Sequence, residues 1–343
     1  MRKLLNTLYV TTPDCYLSLD GQNVVFLQDS KQLFRVPILN LQSIVCFNYL
    51  GISPKLMQYC TDNDVAISFI SSGGRFLAGV HGKIRGNVVL RKKQCVVSED
   101  ENFCLNIAKK FIISKLYNSR LVLQRRIRDS CDCTDITAVA FASNYLKDRY
   151  DNVDACTTLD ELRGVEGDAA KIYFSVFNDL ILKQKDDFIF QGRTRRPPLD
   201  YVNAMLSFGY TLLAHDIQAA LETVGLDSYV GFFHTDRSGR ISLALDIMEE
   251  FRAIFVDKFV LSLINLKMIN AKCFIKKESD GILMTDDARK LFLEEWQKRK
   301  LEIIEHPFLK EKVEIGLLPY IQALLLARFL RGELDDYPPY FGR

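Results

Sequence analysis

The sequence predicts an α+β chain, with a β-rich N-terminal domain followed by a larger all-helical C-terminal domain. Three observations carry that prediction. Short runs rich in β-branched and aromatic residues, separated by turn residues, crowd the first ~95 positions. A polar, acidic stretch comes next, Ser98-Glu99-Asp100-Glu101. From there to about Leu330, apolar residues recur at helical spacing and Gly and Pro are sparse. The expected domains are 1–95 and 96–343.

The opening MRKLLNTLYVTTP holds basic residues, but Asn6 and Thr7 interrupt its apolar run. It reads as a first strand, not a signal peptide. Asp20-Gly21 is a hairpin signal ahead of the run Val24-Val25-Phe26-Leu27. Leu33 to Ile38 and Ser43 to Phe47 are further strand-like runs. Ser53-Pro54 opens a short helix, with Ser as N-cap and Pro at the first helical position. Val65 to Ile70, the turn Ser72-Gly73-Gly74 and Phe76 to Val80 read as another hairpin. Periodicity then predicts helices over 101–116, 118–128, 135–148, 158–185, 200–224, 242–269, 285–303 and 316–331. Asp335-Asp336-Tyr337-Pro338-Pro339-Tyr340 forms a Pro/aromatic tail.

At 343 residues the length suggests about two domains at roughly 150 residues each. Hydrophobic residues at 48% and charged residues at 26% exclude a disordered, collagen-like or coiled-coil chain. The net charge of +2 does not announce a nucleic-acid binder, so any polyanion site has to be a local patch. Nine scattered cysteines, an odd number, argue for reduced thiols and a cytoplasmic location. No stretch is long and apolar enough to span a membrane: Asp257-Lys258 and Asn265 break 253–269, and Pro319 lies in the short run 316–330.

The chemistry concentrates in two segments. In LRGVEGDAAKIYF a continuous helix puts Glu166 on one face with Ala170, Tyr173 and Phe177. A carboxylate on that apolar face is costly to ionise without a metal or an arginine. The plainer reading is a glutamate near a helix N-terminus, favoured by the dipole. In GFFHTDRSGRISLALDIMEE, Ser242 can cap a helix whose core face is Leu243, Ile247, Phe251, Ile254 and Phe255. Asp246, Glu249 and Glu250 then cluster on its polar side, which from spacing alone is a solvated face. His234, one of only four histidines, sits just upstream after an aromatic pair. Glu166, His234 and Glu249 or Asp246 together would make a carboxylate/imidazole site suited to Mg²⁺, with the imidazole tilting it toward Mn²⁺.

Basic residues supply the other half. Arg193, Arg195 and Arg196 sit on a loop stiffened by Pro197-Pro198, with Asp200 as N-cap of the next helix. Guanidinium forks suit phosphate, although a charged surface loop gives the same pattern. Lys83, Arg85, Arg91, Lys92 and Lys93 form a second cluster, and Arg125, Arg126 and Arg128 a third. Cys131-x-Cys133 lacks a second pair at zinc spacing. No P-loop, dinucleotide fingerprint or serine-hydrolase elbow is present.

LRGVEGDAAKIYF, RTRRPPLDYVNAMLSFGYTLL and GFFHTDRSGRISLALDIMEEFR occur in this order. Together they resemble the CRISPR-associated integrase-nuclease of spacer acquisition, the "Cas one" family. VPILNLQSIVCFN and GNVVLRKKQ extend the resemblance over nearly the whole chain, and the tail and length look most similar to the type I-C branch. The resemblance implies a homodimer formed largely through the N-terminal domains. It implies a divalent metal, Mg²⁺ or Mn²⁺, held by Glu166, His234 and Glu249, with Asp246 beside Glu249 as the alternative acid. It also implies a small ferredoxin-like second acquisition protein, whose dimer bridges two integrase dimers into a hetero-hexamer. The implied reaction is attack of the 3′-hydroxyl of a short captured double-stranded DNA on phosphodiesters at the ends of a repeat. One phosphodiester replaces another, which needs no ATP and agrees with the missing P-loop. Arg163, Lys171, Arg193, Arg195 and Arg196, with Arg85 and Arg91, are the candidates for DNA phosphates, and His234 is an alternative proton shuttle. Two other readings fit the same residues: a nuclease that nicks branched DNA without integrating it, and a non-catalytic scaffold that holds DNA ends.

Overall fold

β-branched residues and turn glycines build two sheets in the N-terminal part, and helical periodicity governs most of the remaining chain. The computed structural model describes residues 7–12, 14–29, 31–41, 43–47, 51–63, 65–71, 76–80, 88–130, 135–195, 197–277 and 281–343. The expected Ser72-Gly73-Gly74 turn, Cys131, Cys133, Arg85 and Arg196 lie outside these residues.

Two compact units result. The first comprises residues 1–85, 286–304 and 313–318. Its four-stranded sheet runs β1 (Thr7–Val10), β5 (Ser43–Cys46), β6 (Ala66–Ile70) and β7 (Phe76–Val80), with the last pair antiparallel and the others parallel. The parallel step from β5 to β6 needs a crossover, which α1 (Pro54–Asp62) supplies. Ser53 caps that helix, its Oγ accepting from the Leu56 amide at 3.2 Å. A three-stranded meander, β2 (Tyr16–Asp20), β3 (Asn23–Gln28) and β4 (Lys31–Pro37), turns at Gly21, whose φ of +56° suits the two-residue hairpin loop. Val10, Leu17, Val24, Phe26, Ile38, Ile44, Ile52, Leu56 and Ile67 form the core of this unit. The helix Asp286–Lys300, far along the chain, belongs here as well. Its Trp296 and Phe292 are fully buried, and the Lys300 ammonium donates to Thr7 Oγ1 at 3.2 Å. A division drawn along the chain does not register such a returning segment.

The second unit comprises residues 86–285, 305–312 and 319–343. It begins earlier than 96, because Val88–Ser98 is a helix (α2), not part of the β-rich region. Leu90, Gln94 and Val97 are buried at helical spacing, and the Gln94 amide donates to the carbonyls of Asp227 and Val230 at 2.8 and 2.9 Å. α3 runs unbroken from Glu101 to Arg128 where two helices were expected. α4 spans Thr137–Ala155. α5 (Leu159–Ser175) starts at a Thr158/Glu161 capping box. It stops ten residues short of 185, because Phe177–Leu180 tightens into a 3₁₀ turn and the Asn178 side chain pairs with the backbone of Phe190. α6 (Tyr201–Val224) is capped by Asp200 as expected and ends at Gly225. α7 (Ser242–Phe251) has Ile241 at its N-cap, and the Ser242 hydroxyl donates to the Thr235 carbonyl, so Ser242 does not cap. A π-helical turn, Arg252–Asp257, separates α7 from α8 (Lys258–Asn265), where one uninterrupted helix was expected. The C-terminal tail Tyr337–Gly342 packs onto α3 and α7.

Among the described residues no helix is long and apolar enough to cross a membrane. Cys15, Cys46, Cys60, Cys95, Cys104, Cys156 and Cys273 form no disulfide.

Candidate metal centre and its cavity

Three helices of the second unit each send one charged side chain to the same place. Lys115 comes from α3, Glu166 from α5 and Glu249 from α7. The Lys115 ammonium hydrogen-bonds Glu166 Oε1 and stands 2.6 Å from Glu249 Oε2. The three are enclosed: the side chains are 13%, 24% and 4% exposed. They line a cleft of about 770 Å³ of empty space, open solvent at its mouth included, together with Tyr173, Arg193, Arg195, Tyr210, His234, Arg252 and Asp257.

His234 reaches this cleft through a built loop. Asp246, fully buried on α7, accepts from the amides of Phe232 at 2.7 Å, Phe233 at 3.1 Å and His234 at 2.9 Å. It also accepts from His234 Nδ1 at 2.7 Å. A carboxylate only accepts, so Nδ1 carries a proton, and in the neutral ring the lone pair lies on Nε2. Nε2 stands 4.0 Å from Glu249 Oε1. The loop lies so close to α7 that a Cβ on Gly231 would meet Ser242 Cβ at 2.7 Å. Only glycine fits there. Arg163 braces the loop from α5, donating to the Phe233 carbonyl at 2.8 Å and pairing with Asp160.

The two acids that spacing left open thus take different places. Asp246 sits behind the imidazole with both oxygens engaged and is absent from the cleft, while Glu249 faces into it. The trio Asp246, Glu249 and Glu250, which from spacing alone forms a solvated face, is buried throughout. α7 is covered on all sides, so its polar side chains mark buried partners rather than solvent.

Charge decides the state of Glu249. Burial acts to raise its carboxyl, but the cations of Arg252 and Lys115 and the neighbouring His234 outweigh burial and hold it well below the usual carboxylate range. Arg252 Nε is 2.9 Å from Glu249 Oε1. Burial likewise acts to lower the Lys115 ammonium, and Glu249 and Glu166 overcome it, so the lysine stays charged. At the floor, Asp257 accepts from the hydroxyls of Tyr210 and, at 3.1 Å, Tyr173. Burial pushes its carboxyl up to about 6 against those hydrogen bonds. The π turn explains why Arg252 and Asp257 both face the cleft, since i→i+5 closure brings residues five apart together. The Arg252 and Arg193 guanidiniums stand 4.9 and 5.3 Å from the Tyr210 ring centroid.

The donor set is chemically suited to a divalent cation: two carboxylates and an imidazole whose Nε2 faces the cleft, with the buried Glu249 Oε2 2.6 Å from the Lys115 ammonium. Among the described residues, no three His, Cys, Asp or Glu side chains are gathered tightly enough to hold an ion as they stand. The Lys115 ammonium takes the place between the carboxylates.

The expected phosphate ligands divide. Arg193 and Arg195 line the cleft, with Arg193 held by Asn203 Oδ1 at 2.7 Å and Ser207 Oγ at 3.1 Å. Arg163 is used in bracing, Lys171 is exposed on α5, and Arg91 lies on α2; none of the three lines the cleft. Sequence reasoning missed Lys115, Tyr210, Arg252 and Asp257. The available signal was polar: Ser114, Lys115, Asn118 and Ser119 interrupt an otherwise apolar face of α3 at positions three and four apart.

Comparison with known proteins identifies the family and the fold. The family described as "CRISPR associated protein Cas1" matches residues 8–298. The chain is 45% identical over 343 residues to "CRISPR-associated endonuclease Cas1 1" of Chlorobaculum tepidum, covering 100% of both chains. Its fold is similar to that of a casposase bound to integration product, with a TM-score of 0.83, 23% identity, and coverage of 98% of this chain and 94% of the other. It is also similar to a chain of a Cas6-RT-Cas1–Cas2 complex, with a TM-score of 0.82, 23% identity, and coverage of 98% of this chain and 36% of the other.

Proposed function

The chain belongs to the Cas1 family of CRISPR-associated endonucleases, and from that premise we propose that it is a divalent-metal-dependent DNA integrase. It would insert short captured double-stranded DNA into a CRISPR array. The observation that carries this reading is the convergence of Glu166, His234 and Glu249 on one cleft beside Arg193 and Arg195.

Glu166, His234 Nε2 and Glu249 are the residues to hold Mg²⁺ or Mn²⁺. Bound there, the ion neutralises phosphoryl oxygens and favours ionisation of a hydroxyl. The remaining work falls to the chain. Asp246 fixes the imidazole tautomer and orientation. Arg193 and Arg195 offer forked donors to phosphate oxygens, and backbone contacts of that kind carry no base identity. In the transfer, the 3′-oxygen of the captured strand bonds to phosphorus, the bond from phosphorus to the target strand's own 3′-oxygen breaks, and the number of phosphodiesters is unchanged. The buried surroundings of Glu249 limit the water that would compete as nucleophile.

The named endonuclease relatives support a second use of the same cleft, in which water takes the place of the 3′-hydroxyl and branched DNA is nicked. The casposase and the Cas6-RT-Cas1–Cas2 assembly support the joining reaction and a small ferredoxin-like Cas2 partner. Homodimers bridged by that partner into a hetero-hexamer, a cytoplasmic setting and the type I-C branch complete the reading, the last on the Tyr337-Pro338-Pro339-Tyr340 tail.

The test joins a short duplex to a supercoiled repeat-bearing plasmid in Mn²⁺ or Mg²⁺, with Cas2 present. Glu166→Ala and His234→Ala are expected to abolish joining while salt-sensitive DNA binding survives. Full joining by both variants overturns the proposal. Nicked plasmid without joined product favours the nuclease.

A further inference from the structure

The most unusual group in the cleft is the lysine. Lysine is seldom buried unless paired, because its ammonium is strongly hydrated. Lys115 is 13% exposed, and it spans acids from two different helices. Without it, Glu166 on α5 and Glu249 on α7 would face each other as like charges in a poorly hydrated cleft. With it, α3, α5 and α7 are tied at one point.

A divalent ion held by the same acids sits about 2.1 Å from their oxygens. The Lys115 nitrogen is 2.6 Å from Glu249 Oε2 and bonded to Glu166 Oε1. Both cations draw on the same lone pairs, and at that range they repel each other. The geometry points to exchange: we propose that Lys115 is a placeholder for the metal, holding Glu166 and Glu249 in register while the ion is absent and leaving them when it binds. This inference rests on the reading of Glu166, His234 and Glu249 as a divalent-cation site, and it assigns Lys115 as a positioning residue.

Placeholding has two consequences that a purely structural lysine lacks. The ammonium competes with the metal, so removing it strengthens metal binding even though it weakens the empty protein. The ion also releases the Lys115 side chain from its two carboxylates, which opens it to reagents.

The experiment uses the full-length protein without DNA. Mn²⁺ binding is followed by the loss of the free-ion EPR signal for the wild type and for Lys115→Met, with thermal melts alongside. Lys115→Met is expected to melt lower when metal-free, to bind Mn²⁺ about tenfold more tightly (the worth of roughly one displaced ion-pair contact), and to gain more in melting temperature from Mn²⁺. Equal or weaker Mn²⁺ binding by the variant, beside normal binding by the wild type, overturns the exchange and leaves the metal centre standing. No binding by either protein overturns both. Should Lys115→Met fail to fold, the wild type still decides. Acylation of Lys115, read by peptide mass spectrometry, is expected to quicken severalfold on adding Mn²⁺; an unchanged rate in protein that binds Mn²⁺ overturns the proposal.

Discussion

Two adjacent glutamates on α7, Glu249 and Glu250, are 4% and 0% exposed and face different neighbours. Glu249 looks into the cleft, where Lys115 and Arg252 are its partners. Glu250 looks toward the C-terminal tail and meets only neutral donors: the Tyr337 hydroxyl at 2.6 Å, the Tyr340 amide at 2.7 Å and the Gln322 amide at 2.9 Å. The outcome is opposite. Burial pushes the Glu250 carboxyl up to about 7, with those hydrogen bonds opposing it, while the cations around Glu249 hold that carboxyl low. A buried acid kept charged by neighbouring cations is a reactive surface. A buried acid satisfied by fixed neutral donors is a fastening.

The fastening lies directly behind the reactive wall. Asn118, one turn along α3 from Lys115, donates to the carbonyls of Glu250 at 2.7 Å and Tyr340 at 2.9 Å and accepts from the Gly342 amide at 2.8 Å. The tail therefore ties α3 to α7 at the level where Lys115 meets Glu249.

The contrast can be broken most sharply from the cleft side. Glu249→Gln removes a ligand and the charge that holds Lys115 and Arg252. Joining should fall on the order of 10³-fold, since the metal supplies several kcal/mol of transition-state stabilisation, while circular dichroism stays native. Asp246→Asn keeps the shape but spoils the acceptor for the Nδ1 proton. A loss of roughly 10–100-fold in Mn²⁺ affinity or joining rate is expected, the usual scale for partners of a ligating histidine. On the tail side, Tyr337→Phe deletes a neutral donor to a buried carboxylate. It should cost about 1–3 kcal/mol, seen as a lower melting temperature, with Mn²⁺ affinity changed far less than by Asp246→Asn. A drop in metal affinity as large as that of Asp246→Asn would erase the distinction between the two faces.

The last effect concerns pH. Asp257 shares the neutral-donor character of Glu250, and its folded value of about 6 lies above the ordinary 3.8. Its protonated form is the one the fold prefers. The resulting stability is complete below about 4 and is lost as pH rises through about 6, by at most about 3 kcal/mol. Melts of the wild type at pH 4, 5, 6 and 7 should show that decline added to the one that Glu250, pushed up to about 7, contributes over the same range, and Asp257→Asn should make the slope shallower. An equal slope in the variant would place the decline elsewhere.

Much of this was legible in the sequence because local patterns made it so. Ser53-Pro54 and Asp200 named the caps of α1 and α6, and Asp20-Gly21 named the hairpin, since those signals act within a turn of the residue. The segments of Glu166 and His234 stood out because an acid on an apolar face and a lone histidine after two aromatics are chemically conspicuous. What escaped was decided by distant partners. Lys115 and Arg252 carry no local signal of the cleft they line, since only the packing of α5 and α6 builds it. Glu250 read as a solvated residue because nothing in its helix announces a tail arriving from eighty-seven residues away. The π turn at Arg252–Asp257 has no periodic signature of its own.

The central claim is that Glu166, His234 and Glu249 close around one divalent ion. Crystals of the protein soaked in Mn²⁺ and measured at the manganese edge test it most directly. The account predicts a single anomalous peak about 2.1–2.3 Å from a carboxylate oxygen of Glu166, His234 Nε2 and a carboxylate oxygen of Glu249, with the Lys115 ammonium moved away. A fully occupied ion bound elsewhere, or full joining activity in excess chelator, would contradict it.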